Sequence, residues 1–104
     1  MSVKTLYGKN FEEFVSQSSM AVVDFYADWC MPCRIMAPRM EELSGEMDNV
    51  AFAKLNVDES NDIAQRFGVT SIPTIIIFKE GKQVDEIVGA VPKEKVRETI
   101  EKYL

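Results

Sequence analysis

Apolar residues along the chain alternate between short continuous runs and stripes at helical spacing. Val3 to Leu6 is short and partly alternating, the pattern of an edge strand. Asn10 offers a helix N-cap with Glu13 three residues later, the spacing of a capping box, and Phe11, Phe14 and Val15 then recur at helical spacing. Met20 to Ala27 is a nearly unbroken apolar run with β-branched and aromatic members, which predicts a strand buried on both faces. After Cys30 the period turns helical, with Cys33, Met36, Ala37, Met40, Leu43 and Met47 along one side. Pro38 lies inside this stretch, so the pattern predicts one long helix with a kink. Val50 to Val57 reads as a third strand, and Asn61 to Phe67 as a short helix stopped by Gly68. Thr74 to Phe78 and Gln83 to Val88 flank a turn at Glu80-Gly81, which predicts an antiparallel hairpin. Pro92 opens a final helix whose buried stripe is Val96, Ile100 and Tyr103.

The alternation of strands and helices in the first half implies right-handed crossovers and a parallel core, to which the hairpin adds antiparallel strands. The expected fold class is therefore α/β, a mixed sheet between helices. No linker, internal repeat or low-complexity segment interrupts the chain, so a single domain over 1–104 is expected.

Composition adds exclusions. The 104 residues are 46% hydrophobic and 28% charged, enough for one core and far from disorder. A net charge of −5 disfavours nucleic acid and anionic membranes as partners. Met1 to Phe14 lacks the continuous apolar core of a signal peptide, and the longest apolar run elsewhere, Ile75 to Phe78, is far short of a membrane span. There is no histidine, so the commonest general base and metal ligand is missing, and chemistry must come from Cys, Asp, Glu, Lys or Tyr.

Both cysteines fall in one Cys-x-x-Cys, Cys30-Met31-Pro32-Cys33. A secreted scaffold of this size would carry several dispersed pairs, so a reducing compartment, the cytoplasm, fits better. The pair follows the buried strand and opens the long helix. Cysteines three apart at a helix start share a face and can form a disulfide without gross distortion. Cys30, as the cap residue, would have its thiolate stabilised by unpaired backbone N–H groups and the positive dipole end. Cys33, one turn inside, is expected to be more buried. Pro32 pre-sets helical angles in the first turn. A zinc site wants four ligands, and this chain has neither a second Cys pair nor a His, so no metal is expected. A purely structural disulfide closing so small a loop stabilises little. Redox use explains the pair better.

Phe25-Tyr26-Ala27-Asp28-Trp29-Cys30-Met31-Pro32-Cys33 resembles the active-site segment of the thioredoxin family. The similarity continues in Val22-Val23-Asp24-Phe25, Lys54-Leu55-Asn56-Val57-Asp58, Phe67-Gly68-Val69, Ile72-Pro73-Thr74, Phe78-Lys79-Glu80-Gly81 and Val88-Gly89-Ala90. The resemblance implies a central five-stranded sheet flanked by four helices, with the dithiol at the tip of the second. It also implies a protein-disulfide reductase acting through a mixed disulfide on Cys30 that Cys33 resolves. Disulfide-containing proteins would be the substrates, and a thioredoxin reductase, NADPH- or ferredoxin-linked, would restore the dithiol. No bound cofactor is implied beyond the redox-active disulfide, and nothing demands more than a monomer. The family usually has Gly-Pro between the cysteines, where Met31-Pro32 stands here, and those two positions tune the reduction potential. Met31 should favour the helix start by a few tenths to about 1 kcal/mol over Gly. Only a difference between the oxidised and reduced forms moves the potential, about 30 mV per 1.4 kcal/mol. Tyr26 stands where many members have a second Trp.

Asp24 interrupts the most apolar strand. It is either buried at a cost of several kcal/mol unless protonated or partnered, or carried to solvent by a strand bend. The resemblance implies the former, with a raised pKa, as proton acceptor for Cys33. Lys54 matches the family's lysine near that carboxylate; otherwise it reads as an edge lysine with a snorkelling stem. Ile72-Pro73 has only about a 5–6% chance of being cis on general grounds, and the cis assignment rests on the resemblance. The backbone at Ile72 would then be free to bond an extended substrate segment. Trp29, Ile72, Pro73, Thr74, Val88, Gly89 and Ala90 would surround Cys30 as the substrate contact surface, although Val88 alone reads as a core or turn residue. Two rival readings are an oxidase or isomerase on the same fold, and a binding subunit whose thiols are idle.

Overall fold

A computed structural model describes residues 2–104, so the expectations that include Met1 lie outside the described residues at that position. The elements run β1 (Lys4–Leu6), α1 (Phe11–Gln17), β2 (Met20–Tyr26), α2 (Met31–Glu46), β3 (Ala51–Asn56), α3 (Asn61–Arg66), β4 (Thr74–Lys79), β5 (Lys82–Val88) and α4 (Lys93–Glu101). They form one five-stranded sheet in the order β1-β3-β2-β4-β5. β1, β3 and β2 are parallel, whereas β4 runs antiparallel to both β2 and β5. The hairpin is closed by Glu80 and Gly81, both at positive φ (51° and 82°), a two-residue turn that suits the strand twist.

The two-residue period of β2 divides the core between the sheet's faces. Ala21, Val23 and Phe25 point to the α1 and α3 side, where they meet Phe11, Val15, Ile63, Ile76 and Phe78. Phe67 bridges that cluster, its ring centroid 5.5 Å from both Phe11 and Phe78. Met20 and Val22 point the other way, beneath α2 and α4, against Met36, Met40, Leu43, Val96 and Ile100. By the same alternation Asp24 belongs to the α2 side. Because β2 is central, bonded on one edge to β3 and on the other to β4, Asp24 has no bend to solvent and is buried.

Three local expectations fail. Asn10 makes no side-chain cap to α1; its backbone sits at φ −109°, ψ 1°, away from the extended geometry of a capping residue. Its Oδ1 instead accepts from the Tyr7 amide at 2.7 Å, so there is no capping box with Glu13. Ala37 is exposed, whereas the rest of the expected stripe, Cys33, Met36, Met40, Leu43 and Met47, is buried. Pro92 precedes α4 as its extended N-cap residue, at ψ 150°, instead of occupying the first turn. Helix α2 runs unbroken through Pro38. Gly68 stands one residue past the Phe67 cap of α3 at φ 68°, the left-handed position where glycine ends helices without strain.

Candidate active site

β2 ends in the middle of the sheet, a turn closes with the Cys30 amide bonding the Ala27 carbonyl at 3.3 Å, and α2 begins. Cys30 is the N-cap residue, extended at φ −90°, ψ 112°, and its Sγ accepts from the Cys33 amide at 3.2 Å. A helix start leaves such N–H groups without intrahelical partners, and here one is aimed at sulfur. Cys30 and Cys33 are joined as a disulfide across a Cα–Cα distance of 5.2 Å, ordinary for such a bond. The expected contrast in burial is absent: Cys30 is 4% exposed and Cys33 3%. Bonding draws both sulfurs into one small cluster with Ala27, covered by Tyr26, Val57 and Ile72.

Ile72-Pro73 is a cis peptide, as the resemblance implied. Cys30 Sγ lies 3.8 Å from the Ile72 carbonyl oxygen, a contact rather than a hydrogen bond because a disulfide sulfur carries no proton. The Pro73 carbonyl accepts from the Gly89 amide at 2.8 Å, which joins this loop to the end of β5. Thr74 is buried, with its hydroxyl bonded to the Ser71 carbonyl. Trp29, Met31 and Val88 are large apolar residues left exposed, and Ala90 is exposed with them. The Trp29 indole N–H donates to Asp58 Oδ2 at 2.9 Å, which fixes the ring's orientation without covering it. Ile35 is a further large apolar residue left exposed beside them, one the expected contact surface does not include. The signal was present, since it lies four residues after Met31 and off the buried stripe.

Behind Cys33 is a cavity of about 70 Å³ whose lining includes Asp24, Tyr26, Ala37, Glu41 and Lys54. Asp24 is 4% exposed, and among the described residues its Oδ1 is buried without a hydrogen-bond partner. Burial pushes the Asp24 carboxyl up to about 7, and the Lys54 charge only partly opposes that rise. Lys54 faces Asp24 across the β2–β3 ladder, with its Nζ 5.6 Å from the centroid of the Tyr26 ring. Desolvation exceeds attraction because the carboxyl is enclosed while the half-buried lysine shares its charge with the ring and solvent. Glu41 is a lining residue that sequence spacing did not single out; its Oε1 accepts from the Val3 amide at 3.4 Å.

A disulfide drawn over a helix N-terminus, backed by an acid poised to change protonation near neutrality, defines a class: the thiol–disulfide oxidoreductases. The family within that class follows from comparison with known proteins. The family model described as Thioredoxin matches residues 2–102, and the chain belongs to that family. It is 47% identical to a thioredoxin of Staphylococcus saprophyticus over the full length of both chains. It is 51% identical to the chloroplastic M-type thioredoxin of Chlamydomonas reinhardtii over 90% of this chain and 69% of that one. Among solved structures, a mutant thioredoxin from Halobacterium salinarum superimposes with a TM-score of 0.94 at 34% identity, covering 98% of this chain and 90% of that one. The chain is thus a thiol–disulfide oxidoreductase on a five-stranded mixed sheet with four helices, and its redox group is a disulfide. Among the described residues no helix is long and apolar enough to cross a membrane.

Proposed function

We propose that this protein reduces protein disulfides, with Cys30 as the nucleophile, Cys33 as the resolving thiol and Asp24 as the proton acceptor. The Cys30 thiolate attacks one sulfur of the substrate; the substrate disulfide breaks, a mixed disulfide forms, and the departing sulfur takes a proton. Cys33 then gives its proton toward Asp24 and attacks Cys30 Sγ, which closes Cys30–Cys33 and releases the second substrate sulfur as a thiolate that takes a proton from water. Two electrons have moved to the substrate, and a separate reductase of the NADPH- or ferredoxin-linked kind supplies two more to reopen Cys30–Cys33 as the dithiol. The observation that carries this reading is the seating of Cys30 Sγ on the Cys33 amide at the head of α2, with the Asp24 cavity opening onto Cys33. A cavity of about 70 Å³ has room for water, so the proton can pass to Asp24 through a relay.

Trp29, Ile72, Val88, Gly89 and Ala90 form the surface on which an extended substrate segment lies, with main-chain bonding at Ile72, while Pro73 and Thr74, expected there from the resemblance, are buried and support that surface from beneath. Met31 and Pro32 set the potential through the first turn of α2, and Lys54 moderates Asp24. We further infer one domain over 1–104, working as a monomer in the cytoplasm and needing no bound cofactor. A single Cys-x-x-Cys and the absence of other cysteines support a reducing compartment.

The test is a pair of substitutions assayed on a protein disulfide. Cys30→Ser abolishes reduction, and Cys33→Ser accumulates a mixed disulfide whose mass equals enzyme plus substrate. Full turnover by the Cys30→Ser protein would falsify the assignment. The equilibrium potential of Cys30–Cys33, titrated against dithiothreitol, separates a reductant (low) from an oxidase or isomerase (high).

A further inference from the structure

The far end of the substrate surface is fastened to the helix that carries the cysteines. Met36, fully buried on α2, places its Sδ 3.4 Å from the Val91 amide nitrogen. One turn later, Arg39 Nη1 donates to the Val91 carbonyl at 2.7 Å. Val91 lies between the end of β5 and the start of α4, so neither a sheet ladder nor a helix supplies partners for its backbone. Two side chains of α2 do so instead. Two residues earlier, the Gly89 amide is tied to the Pro73 carbonyl at 2.8 Å. The segment 89–91 is therefore held between two anchors, the cis-proline loop on one side and α2 on the other, with Ala90 exposed between them.

The choice of partner by Arg39 is informative. The neighbouring cations Lys93 and Arg97 pair with the glutamates of α2, Lys93 with both Glu42 and Glu46 and Arg97 with Glu46. Among the described residues Arg39 makes no such ion pair and directs its half-buried guanidinium to a neutral carbonyl. A charged donor to a carbonyl makes a strong hydrogen bond, and its planar fork holds direction better than a lysine would.

We propose that Arg39 is a positioning residue for the disulfide reduction described above: by holding Val91 it fixes the Gly89–Ala90 rim relative to Cys30, and so sets affinity for protein disulfides without taking part in sulfur exchange. This rests on the reading of Val88, Gly89 and Ala90 as substrate contacts. A small disulfide reaches Cys30 without using the rim and is indifferent to its order, whereas an extended polypeptide segment must lie against it. A merely structural role would instead weaken both reactions alike.

The experiment compares wild type with Arg39→Met, which keeps the stem and removes the donors. Insulin serves as the protein disulfide and hydroxyethyl disulfide as the small one, at high salt so that charge steering is screened. The expected result is a KM for insulin raised about tenfold, the change that about 1.4 kcal/mol of lost rim ordering produces, with kcat unchanged. kcat/KM for hydroxyethyl disulfide and the Cys30–Cys33 potential stay at their wild-type values. Arg39→Lys, which keeps one donor, recovers part of the KM and also carries the comparison if Arg39→Met does not fold. An unchanged insulin KM, or an equal loss on both substrates, overturns the proposal. Val88→Asp tests the underlying reading separately. If it raises the insulin KM while the Arg39 variants do not, Arg39 has no such role and the contact surface stands; if neither raises it, both ideas fall.

Discussion

Replacing Asp24 by Asn in the oxidised protein probes the cavity with neither thiol free to titrate. The folded-state carboxyl changes protonation at about 7 against an ordinary 3.8, because burial disfavours its charge more than Lys54 favours it. Below the lower value the group carries its proton in both folded and unfolded chains, and stability is unaffected. Between the two values the unfolded chain ionises while the folded one holds the proton. Stability therefore falls as pH rises, by at most about 1.4 kcal/mol per pH unit. Above about 7 both states are ionised and the penalty levels off at about 4 kcal/mol, an order-of-magnitude ceiling set by the shift. Asn is neutral and nearly isosteric, so the variant should match wild type at about pH 3 and exceed it by up to about 4 kcal/mol at about pH 8. Guanidinium unfolding of both oxidised proteins across that range measures the difference. A gap that is the same at both ends, or that widens toward acid, refutes the burial argument.

Three other substitutions follow from single features of the structure. Lys54→Met removes the one charge that lowers the Asp24 midpoint, so that midpoint should rise further in the same pH series; a fall contradicts the pairing across the ladder. Gly45 lies exposed inside α2 with nothing within 4 Å of an added Cβ, so Gly45→Ala should stabilise by up to about 1 kcal/mol, read as a higher Tm. Gly89 has equal space but sits at φ 94°, so Gly89→Ala should cost about 1–3 kcal/mol through backbone strain, and unchanged stability means the loop relaxes.

What was legible in the sequence was local. Cys30 could be placed at a helix start because the apolar period changes there and Pro32 follows, and it is the N-cap residue. The hairpin was readable for the same reason, from Glu80-Gly81 between two apolar runs. Features set by long-range packing were open or missed. Whether Asp24 is buried depends on β2 lying between β3 and β4, a fact of sheet order that no run of residues states. The Asn10 capping box matched in composition, yet capping needs an extended backbone and Asn10 does not have one. Ala37 satisfied the period, but the stripe facing the sheet is only as wide as the contact between α2 and the strands, and its edge falls short of that residue. The Arg39–Val91 bond spans 52 positions and leaves no periodic trace.

The two sulfurs call for different kinds of support, and that difference accounts for which parts of the site depend on the whole fold. An anion on Cys30 is met by the Cys33 amide, a group one helical turn away, so the chain segment that contains the pair already contains the donor. A proton leaving Cys33 has no acceptor on its own helix that shares its cavity except Glu41, which borders solvent and bonds the Val3 amide. The enclosed carboxyl proposed as acceptor, Asp24, comes from β2, and its opposing charge, Lys54, from β3. A carboxyl that binds a proton near neutrality must be largely desolvated, and that desolvation lowers stability above that pH. The same carboxyl should then be visible from two sides. Asp24→Asn should flatten the pH dependence of stability in the oxidised protein and slow resolution of the mixed disulfide near neutrality. In the wild type the rate profile and the stability profile should bend in the same neutral region, where Asp24 changes protonation. A stability profile that bends near neutrality beside a resolution rate that Asp24→Asn leaves unchanged would keep the buried acid and remove its part in the chemistry.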